Sequence, residues 1–324
     1  MSHTLFRATI SLHTAFGTPL AGDTLFGQLC WAVREQLGND KLTSLLEGYT
    51  SGNPWLVVSD GFPNGYLPKP TVPASLLLVQ KIDAKAHKEE KSKHWIAITN
   101  TAQPLPEWNR LAVNDSIAFN GQTDVSKEYQ PVEAVQPHNS LNRLTNTTGG
   151  EGFAPYTQVQ TFFAPEQSMD LYLVLDEKRL SAEALKGLLQ SIGSHGFGRD
   201  ANIGLGKFSL KSLEALTFAQ HVQANAHLTL APSAPQGQGF NRDKSYWRVI
   251  TRFGRHGNLH GISDKPFKNP ILLASSGAVF SPKTEYIPCL FIGQGLGGHG
   301  EISKTESATV HQGYAPVIGI YLEV

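Results

Sequence analysis

The alternation of apolar and polar residues changes period several times along the first sixty positions. Apolar residues at every second position over 6–12 predict a half-buried strand. Apolar residues at helical spacing over 25–37 predict an amphipathic helix, and Asp23 is placed to cap it. A short helix over 42–49 and a strand over 55–58 follow. The first block therefore reads β-α-α-β.

A second block with the same logic follows in the middle of the chain. Residues 138–163 predict a hairpin that carries polar side chains at its base, and alternating residues over 169–175 predict a further strand. Ser181 is placed to cap a helix that extends to 192, and an apolar strand starts near 207. Two β-α-β units of this size predict an α+β, ferredoxin-like (RRM-type) fold with an antiparallel sheet on one side and helices on the other.

The two blocks are separated by an insertion and followed by a β-rich region. Residues 61–136 are rich in proline and polar residues, and we interpret them as a partly mobile insertion. The mixed-charge run at 81–93 is typical of a solvated helix face or a surface loop. We therefore predict an N-terminal domain over 1–215, interrupted by that insertion, and a β-rich C-terminal domain over 216–324. In the latter, 223–239 is expected to be loop, and 246–253, 271–274, 286–292 and 317–324 to be strands.

Composition narrows the class of protein. The chain has 324 residues, of which 40% are hydrophobic and 17% charged, which predicts about two ordinary globular domains. A formal net charge of zero argues against a free-standing nucleic-acid binder, which usually carries a basic field. Cys30 and Cys289 lie in apolar company, as expected for reduced thiols of a cytoplasmic protein. No signal peptide or long apolar span is seen, so we expect no membrane association.

The strongest candidate for chemistry is the glycine-rich segment 196–208. Four glycines fall in eleven residues there, together with Arg199, Asn202 and Lys207. Glycine allows a backbone to approach a ligand closely, free backbone N–H groups are donors, and Arg and Lys match phosphate. The segment follows a predicted helix and precedes a strand. These features predict a loop that holds a phosphate backbone.

Other motifs are weaker. Residues 293–298 contain the G-x-G-x-x-G spacing, but no helical pattern follows, so we expect a flexible or RNA-facing turn rather than a dinucleotide site. His256 and His260 have the i, i+4 spacing of a zinc helix without the further ligands, and a surface role is favoured. His195 precedes the glycine loop and could act as a general base, with His13 as a possible partner. We expect no metal and no cofactor.

Three segments together resemble the RAMP superfamily of CRISPR-associated proteins. They are the turn and helix start over 16–27, the central segment 138–143 and the glycine loop, and shorter matching fragments lie at 266–268 and 311–314. The particular resemblance is to the subunit of type III (Csm-type) effector complexes that caps one end of the complex and binds the 5′ handle of the guide RNA (crRNA).

This resemblance implies a pair of ferredoxin-like modules without catalytic activity, in a multi-subunit ribonucleoprotein. The implied neighbours are the guide RNA, a large polymerase-like subunit and a backbone RAMP subunit that tiles the guide. Residues that would line the phosphates of the handle are Gly196, Gly198, Arg199, Asn202, Gly204 and Lys207. Those that would contact sugar, phosphate or base near the hairpin are Asn139, Asn142 and Arg143. Those that would lie beside the first bases are Phe16, Gly17, Thr18 and Pro19.

Three other functions stay open at the level of the sequence. Related RAMP proteins cleave repeat RNA without metal, so the chain could be a processing endoribonuclease with His195 or His13 as its base. It could instead be a guide-tiling backbone subunit, present in several copies. It could also be an assembly subunit whose sheet edges bind only protein.

Overall fold

The structure, a computed structural model, describes residues 3–77, 84–120, 130–149, 152–257 and 266–323. The elements up to residue 215 are, in chain order, β1 (His3–Leu12), α1 (Gly22–Leu37), α2 (Asn39–Leu46), β2 (Leu56–Val58), β3 (Phe62–Pro63), β4 (Tyr66–Pro68), α3 (Ala84–Ser92), β5 (Trp95–Ala97), α4 (Leu105–Leu111), α5 (Asp115–Asn120), β6 (Val132–His138), β7 (Tyr156–Phe162), β8 (Ser168–Asp176), α6 (Ala182–His195) and β9 (Phe208–Ala215). Beyond it follow β10 (Ala226–Thr229), β11 (Val249–Arg252), β12 (Ile271–Ala274), β13 (Val279–Phe280), β14 (Phe291–Gly297) and β15 (Val310–Ile320).

The first sheet has the strand order β2-β8-β1-β9, and β3 also pairs with β8. All of these pairs are antiparallel. Helices α1 and α6 pack against each other and against β2 and β9 respectively. The connectivity β1-α1-β2 and β8-α6-β9 confirms the two predicted β-α-β units.

Local signals explain where the two long helices begin and end. Ser181 caps α6, because its Oγ accepts a hydrogen bond from the Ala184 N–H at 3.2 Å. Gly38 ends α1 at φ +91°, a conformation that favours glycine. The prediction for Asp23 was wrong: Ala21 occupies the cap position, and Asp23 lies inside the first turn.

The insertion contains short elements that pack into the core. Strands β4 and β5 pair with each other, and α4 and α5 bury Trp108 and Phe119. Most of the described part of the mixed-charge run forms helix α3. Of the two predicted alternatives, a helix face and a surface loop, the structure therefore has the helix. Positions 81–83 and 121–129 lie outside the described residues. Strands β6 and β7 form a separate two-stranded hairpin.

The C-terminal region is β-rich, as predicted. Its sheet has the order β13-β10-β15-β14, and β11 and β12 form a two-stranded ribbon. No helix occurs among the described residues after 216. Strand β10 lies within 223–239, where a loop was predicted. The local pattern did not reveal it, because the strand pairs with β15, about ninety positions away in the chain. The strand predicted at 286–292 was displaced toward the C-terminus and forms β14.

The G-x-G-x-x-G segment is not the turn that was predicted. Residues 293–297 belong to β14 and pair along β15. A Cβ atom on Gly295 would lie 2.5 Å from the carbonyl oxygen of Tyr49. Glycine is therefore required there because the backbone of another segment lies directly against the strand.

The main apolar core includes residues from both sheets, such as Leu5 on β1 and Ile318 on β15, and a smaller cluster around Phe280 lies in the second sheet. A charged cluster lies between the same two regions. The carboxylate of buried Asp23 lies 2.9 Å from Arg252 Nε and 3.3 Å from His311 Nε2. Burial raises the pKa of Asp23, but the hydrogen bond and charge of His311 and the charge of Arg252 outweigh it and lower that pKa below its ordinary value. Asp23 therefore joins α1 to β11 and β15.

Candidate nucleic-acid interface

The glycine loop connects α6 to β9 and is packed tightly against the residues that follow β1. A Cβ atom on Gly206 would lie 2.1 Å from the carbonyl oxygen of Phe197, and one on Gly198 would lie 2.7 Å from Thr18 Cβ. Both glycines also have positive φ, +71° and +79°. The glycines at these two positions therefore allow close packing within the protein.

Most amides of the loop already have partners inside the protein. The N–H of Phe197 donates to the Gly206 carbonyl at 2.9 Å, and the N–H of Gly206 donates to Ala15 at 2.8 Å. The N–H of Lys207 donates to Thr14 Oγ1 at 2.9 Å. The amides of 196, 198, 199, 203, 204 and 205 are bonded as well. The expectation that free loop amides would bind phosphate is thus wrong for these nine N–H groups, and side chains must supply most donors.

Phe16 forms part of the core beneath the loop. Its ring is 2% exposed and packs against Phe163 and Phe197, at centroid distances of 5.8 and 6.3 Å. Its backbone exchanges two 2.9 Å hydrogen bonds with Thr161. The ring therefore has no surface on which a base could stack. Gly17, Thr18 and the exposed Pro19 continue from it along the loop.

Arg199 joins three of the predicted segments. Its N–H donates to Thr18 Oγ1 at 2.9 Å, and its guanidinium Nη2 donates to the carbonyl of Val159 on β7 at 2.7 Å. Its Nε lies 3.3 Å from the carboxylate of Asp200, and 47% of the side chain stays exposed. Arg199 therefore fixes the glycine loop and the 16–19 segment against the base of the hairpin, and part of the guanidinium remains accessible.

Two other predicted side chains extend into solvent from the same loop. Asn202 and Lys207 are both exposed. A Cβ atom on Gly204 would meet no atom within 4 Å, so the surface is open at that position. Gly196, in contrast, is buried. The accessible polar groups of this surface, which we call the loop surface, belong to Thr18, Arg199, Asn202 and Lys207.

The other predicted contact residues lie at the far end of the hairpin. Asn139 and Arg143 are exposed in the tip, and Asn142 Oδ1 accepts a hydrogen bond from the Leu144 N–H at 2.9 Å. Val135 pairs with Val159, beside which Arg199 binds. At about 3.3 Å per extended residue, the tip begins more than ~10 Å further along the hairpin. The structure therefore separates the predicted site into a loop surface and a hairpin tip.

The sequence predicted a hairpin over 138–163, but its first strand starts earlier, at Val132, within the predicted insertion, and its exposed apolar surface was missed. Large apolar side chains along it are exposed: Val132, Val135, Leu141, Leu144, Tyr156, Val159 and Phe162. Leu144 at the tip is 96% exposed. Monomeric soluble proteins rarely expose contiguous apolar surfaces without a binding role. The signal was present in the apolar residues of both strands, but periodicity alone does not show that the strands stand apart from a core.

The candidate histidines do not form a cluster. His195 Nδ1 lies 2.8 Å from the Ser191 carbonyl of its own helix, so Nδ1 is the donor in this contact, and the residue is exposed. The backbone N–H of His13 donates to the Lys207 carbonyl. His256 Nε2 lies 2.9 Å from Ser303 Oγ, and His260 lies outside the described residues. No group of metal-binding side chains occurs among the residues that the structure describes.

Structures of known proteins share this fold over the whole chain. A chain from a crystal structure of a Csm1–Csm4 cassette in complex with pppApA has a TM-score of 0.58 and 16% identity, with 98% of this chain and 99% of that chain covered. A chain from such a cassette in complex with cA3 has a TM-score of 0.57 and 14% identity, with 99% of both chains covered. A chain from a Csm3–Csm4 subcomplex of a type III-A CRISPR-Cas interference complex has a TM-score of 0.57 and 12% identity, with 97% and 99% covered.

Csm4 is the component named in all three assemblies. The predicted resemblance to a Csm-type subunit is therefore confirmed at the level of the fold. No protein-family model matches the sequence. No curated protein matches it either.

None of the helices in the described ranges is long and apolar enough to cross a bilayer.

Proposed function

We propose that this chain is a non-catalytic, cytoplasmic subunit of a type III RNA-guided CRISPR effector complex, in the place that Csm4 has in the similar structures. Its loop surface and hairpin tip contact the 5′ handle of the guide RNA. Its protein neighbours are a large polymerase-like subunit, corresponding to Csm1, and a backbone subunit that tiles the guide, corresponding to Csm3.

The observation that carries the proposal is the convergence at Arg199. Three segments far apart in sequence meet there: the glycine loop, the 16–19 segment and strand β7 of the hairpin. The first two are among the segments on which the resemblance rests. Around Arg199, the half-buried Thr18 and the exposed side chains of Asn202 and Lys207 provide donors and one further positive charge. Fold likeness alone does not assign a function, because one fold hosts many activities.

The chemistry of the loop surface suits a short, fixed RNA segment. Single-stranded RNA is held through its phosphates by a few charged side chains and is identified by hydrogen bonds to splayed bases. Two cations and a few polar side chains on a rigid loop fit such a target better than a long duplex, which needs a broad basic surface. A zero net charge is compatible with this assignment because neighbouring subunits also contact the guide.

The prediction of two ferredoxin-like modules is part of the proposal. Support comes from the first sheet, whose connectivity β1-α1-β2 and β8-α6-β9 gives the antiparallel order β2-β8-β1-β9. The second sheet has the order β13-β10-β15-β14 and no helices in its described part. In this proposal it corresponds to a strongly reduced second module.

Crosslinking of the assembled complex tests the proposal. The chain is expressed together with its large subunit, its backbone subunit and a guide carrying 4-thiouridine in the handle, and adducts are mapped by mass spectrometry. We expect adducts on 196–207 and on the hairpin tip. Handle adducts found only on the other subunits, with none on this chain, would contradict handle binding. Native mass spectrometry of the same sample should give one copy of the chain, and several copies would favour a tiling subunit.

The absence of catalysis is tested separately. The purified chain is incubated with repeat RNA in EDTA, and the products are separated on a denaturing gel. We expect no discrete cleavage. A cut that disappears in the His195→Ala variant would overturn this part of the proposal and assign His195 as a base.

A further inference from the structure

The ribbon formed by β11 and β12 carries apolar side chains on its outer face. Burial alternates along 247–255, with odd-numbered positions exposed and even-numbered positions more buried from 250 onward. The outer face, which we call the ribbon face, carries Trp247, Val249 and Phe253. Leu272, which pairs with Thr251, and Phe267, which pairs with Arg255, extend the same face. Val249, Phe253, Phe267 and Leu272 are each at least 60% exposed. The solvent side of an antiparallel ribbon usually carries polar side chains, whereas this outer face carries large apolar ones.

The inner face of the ribbon is fastened to the body of the protein. Arg252 forms the ion pair with buried Asp23, and Leu273 is 2% exposed. A Cβ atom on Gly257 would lie 2.8 Å from Trp31 Nε1, so the ribbon also lies directly on α1. The ribbon face is therefore held in place by packing and an ion pair beneath it. A surface fixed in this way loses little conformational entropy when a partner binds.

A shallow pocket adjoins the ribbon face at Trp247. It has a volume of about 350 Å³ and is lined by Val72, Pro73, Tyr246 and Trp247, with Thr71 and Ser245 at its polar side. The volume is sufficient for one large side chain, and its lining is mainly apolar. Interface hot spots commonly consist of an aromatic or aliphatic anchor in such a pocket.

Positive charge lies beside the apolar residues. Arg242, Lys244 and Arg248 are exposed just before β11, and Asp243 is the only acidic residue among positions 242–248, so this stretch has a net charge of three minus one, or +2. Arg255 lies at the other end with its guanidinium over the Phe267 ring at 5.8 Å. An apolar centre with a basic rim is complementary to an apolar anchor flanked by acidic residues.

We propose that the ribbon face is the docking site for the large subunit of the complex, which presents a bulky apolar side chain flanked by acidic residues. This inference rests on the proposed function, which requires two protein neighbours. The backbone subunit tiles the guide and so meets this chain where the guide lies, at the loop surface and hairpin. The ribbon face points away from α1, and it offers the second partner a separate apolar surface.

The residue types favour a protein over RNA as the occupant. Val249 and Leu272 are aliphatic and offer no ring on which a base could stack. One side of the Trp247 ring is already covered by Phe280, with a centroid distance of 5.8 Å and an angle of 28°. Single-stranded nucleic-acid sites use successive free aromatic faces, whereas aliphatic residues beside Trp and Phe are typical of the centre of a protein interface.

The test uses the complete complex with photo-reactive benzoylphenylalanine in place of Val249. The matched control carries the same group at Val222, which is 98% exposed and lies outside the ribbon. On irradiation we expect an adduct with the large subunit from position 249 and none from position 222. An adduct with the backbone subunit, an adduct with RNA, or no adduct at position 249 would overturn the proposal.

A second measurement uses the double variant Val249→Glu, Leu272→Glu, with Val222→Glu as control. Both positions are exposed, so the melting temperature should stay close to that of the wild type. We expect at least a tenfold weaker affinity for the large subunit, with guide RNA retained. Unchanged affinity would overturn the inference alone. A wild-type chain that binds the large subunit but not the handle would overturn the RNA role and leave this inference standing.

Discussion

The side-chain amide of Gln312 on β15 forms two hydrogen bonds with the backbone of Val58 on β2. Its Oε1 accepts from the Val58 N–H at 2.9 Å, and its Nε2 donates to the Val58 carbonyl at 2.8 Å. Gln312 is fully buried, and the two residues are 254 positions apart. The side chain therefore takes the place of a neighbouring strand at the edge of the first sheet and connects that sheet to the second.

Removing this connection should destabilise the whole chain. In Gln312→Ala, a buried N–H and a buried carbonyl of Val58 lose their partners, and each such group costs about 1–3 kcal/mol. We expect the free energy of unfolding to fall by about 2–4 kcal/mol, measured by denaturant unfolding monitored by circular dichroism.

The variant Gln312→Glu separates hydrogen bonding from packing. The carboxylate has almost the same shape but cannot donate to the Val58 carbonyl, and it would be buried. We expect it to be at least as destabilising as the alanine variant near pH 7. A glutamate variant as stable as the wild type would show that the two hydrogen bonds contribute little.

The elements that the sequence predicted correctly are those specified by local signals. The Ser181 cap, the end of the first helix at position 37 and the alternation in β1 depend on residues within a few positions of each other. Strand β10 depends on pairing with β15, and β14 contains glycines that resemble a turn until the backbone of Tyr49 is placed against them. Single-sequence patterns do not contain that information, because the partner segments lie far away in the chain.

The candidate site also combines features that local sequence predicts with features that depend on distant segments. The position of the glycine loop was predictable from composition, but the reason for its glycines was not. Gly198 faces Thr18, which lies 180 positions earlier, and only the folded chain shows that this contact leaves no room for a side chain. The separation of Asn139, Asn142 and Arg143 from the loop surface was also hidden, because it depends on how far the hairpin extends from the body of the protein.

Asp60 gives the stability a specific pH dependence. It follows β2, its Oδ1 accepts from the Gly22 N–H at 2.8 Å, and burial raises its pKa from 3.8 to about 7, with nearby Asp23 adding to the shift. Between pH 4 and 7 the folded state holds a proton that the unfolded state has lost. This group therefore stabilises the fold at low pH, and its contribution is lost as the pH rises through that range.

Asp60→Asn should remove this dependence, because the amide stays neutral and can still accept from Gly22. We expect the variant to gain stability relative to the wild type as the pH rises from about 4 to 7, and the difference to level off above that. One pKa unit corresponds to about 1.4 kcal/mol, and residual solvent contact reduces the effect, so a gain of about 1–2 kcal/mol at pH 8 is expected. A stability difference between the variant and the wild type that stays constant from pH 4 to 8 would contradict the raised pKa of Asp60.

The glycines of the loop should differ sharply in their tolerance of alanine. In Gly206→Ala the new methyl group would overlap the backbone of Phe197, whereas in Gly204→Ala it would enter open space. Both positions have positive φ, so each substitution carries the backbone strain of about 1 kcal/mol. We expect only Gly206→Ala to cost clearly more than that in thermal unfolding and to weaken handle binding as well. Equal losses in the two variants would show that the packing is looser than described.

The charges of the loop surface should be separable by their effects on stability and on RNA binding. The ammonium of Lys207 is exposed, and only the backbone of this residue is hydrogen-bonded to neighbouring segments. Lys207→Ala should therefore leave the melting temperature unchanged. If Lys207 contacts a phosphate, the slope of log affinity against log salt for a handle oligonucleotide should fall by about 0.7, the value for one contact on a single strand.

Arg199→Ala should show the same loss of slope together with a loss of stability. Its guanidinium also donates to Val159, and one such hydrogen bond to a charged donor contributes about 1.5–3 kcal/mol when well shielded and less at a half-exposed site.

Lys178→Ala is the matched control for charge. Lys178 follows β8 at the end of the sheet where Asp176 pairs with His3, whereas Lys207 lies beside His13 at the other end of β1. The ten residues of β1 separate the two lysines by about 30 Å, beyond several screening lengths at 0.15 M salt. If the slope falls equally in Lys178→Ala and in the two loop variants, the affinity for the handle depends on the overall charge of the chain. The loop surface would then lose its assignment as the RNA contact.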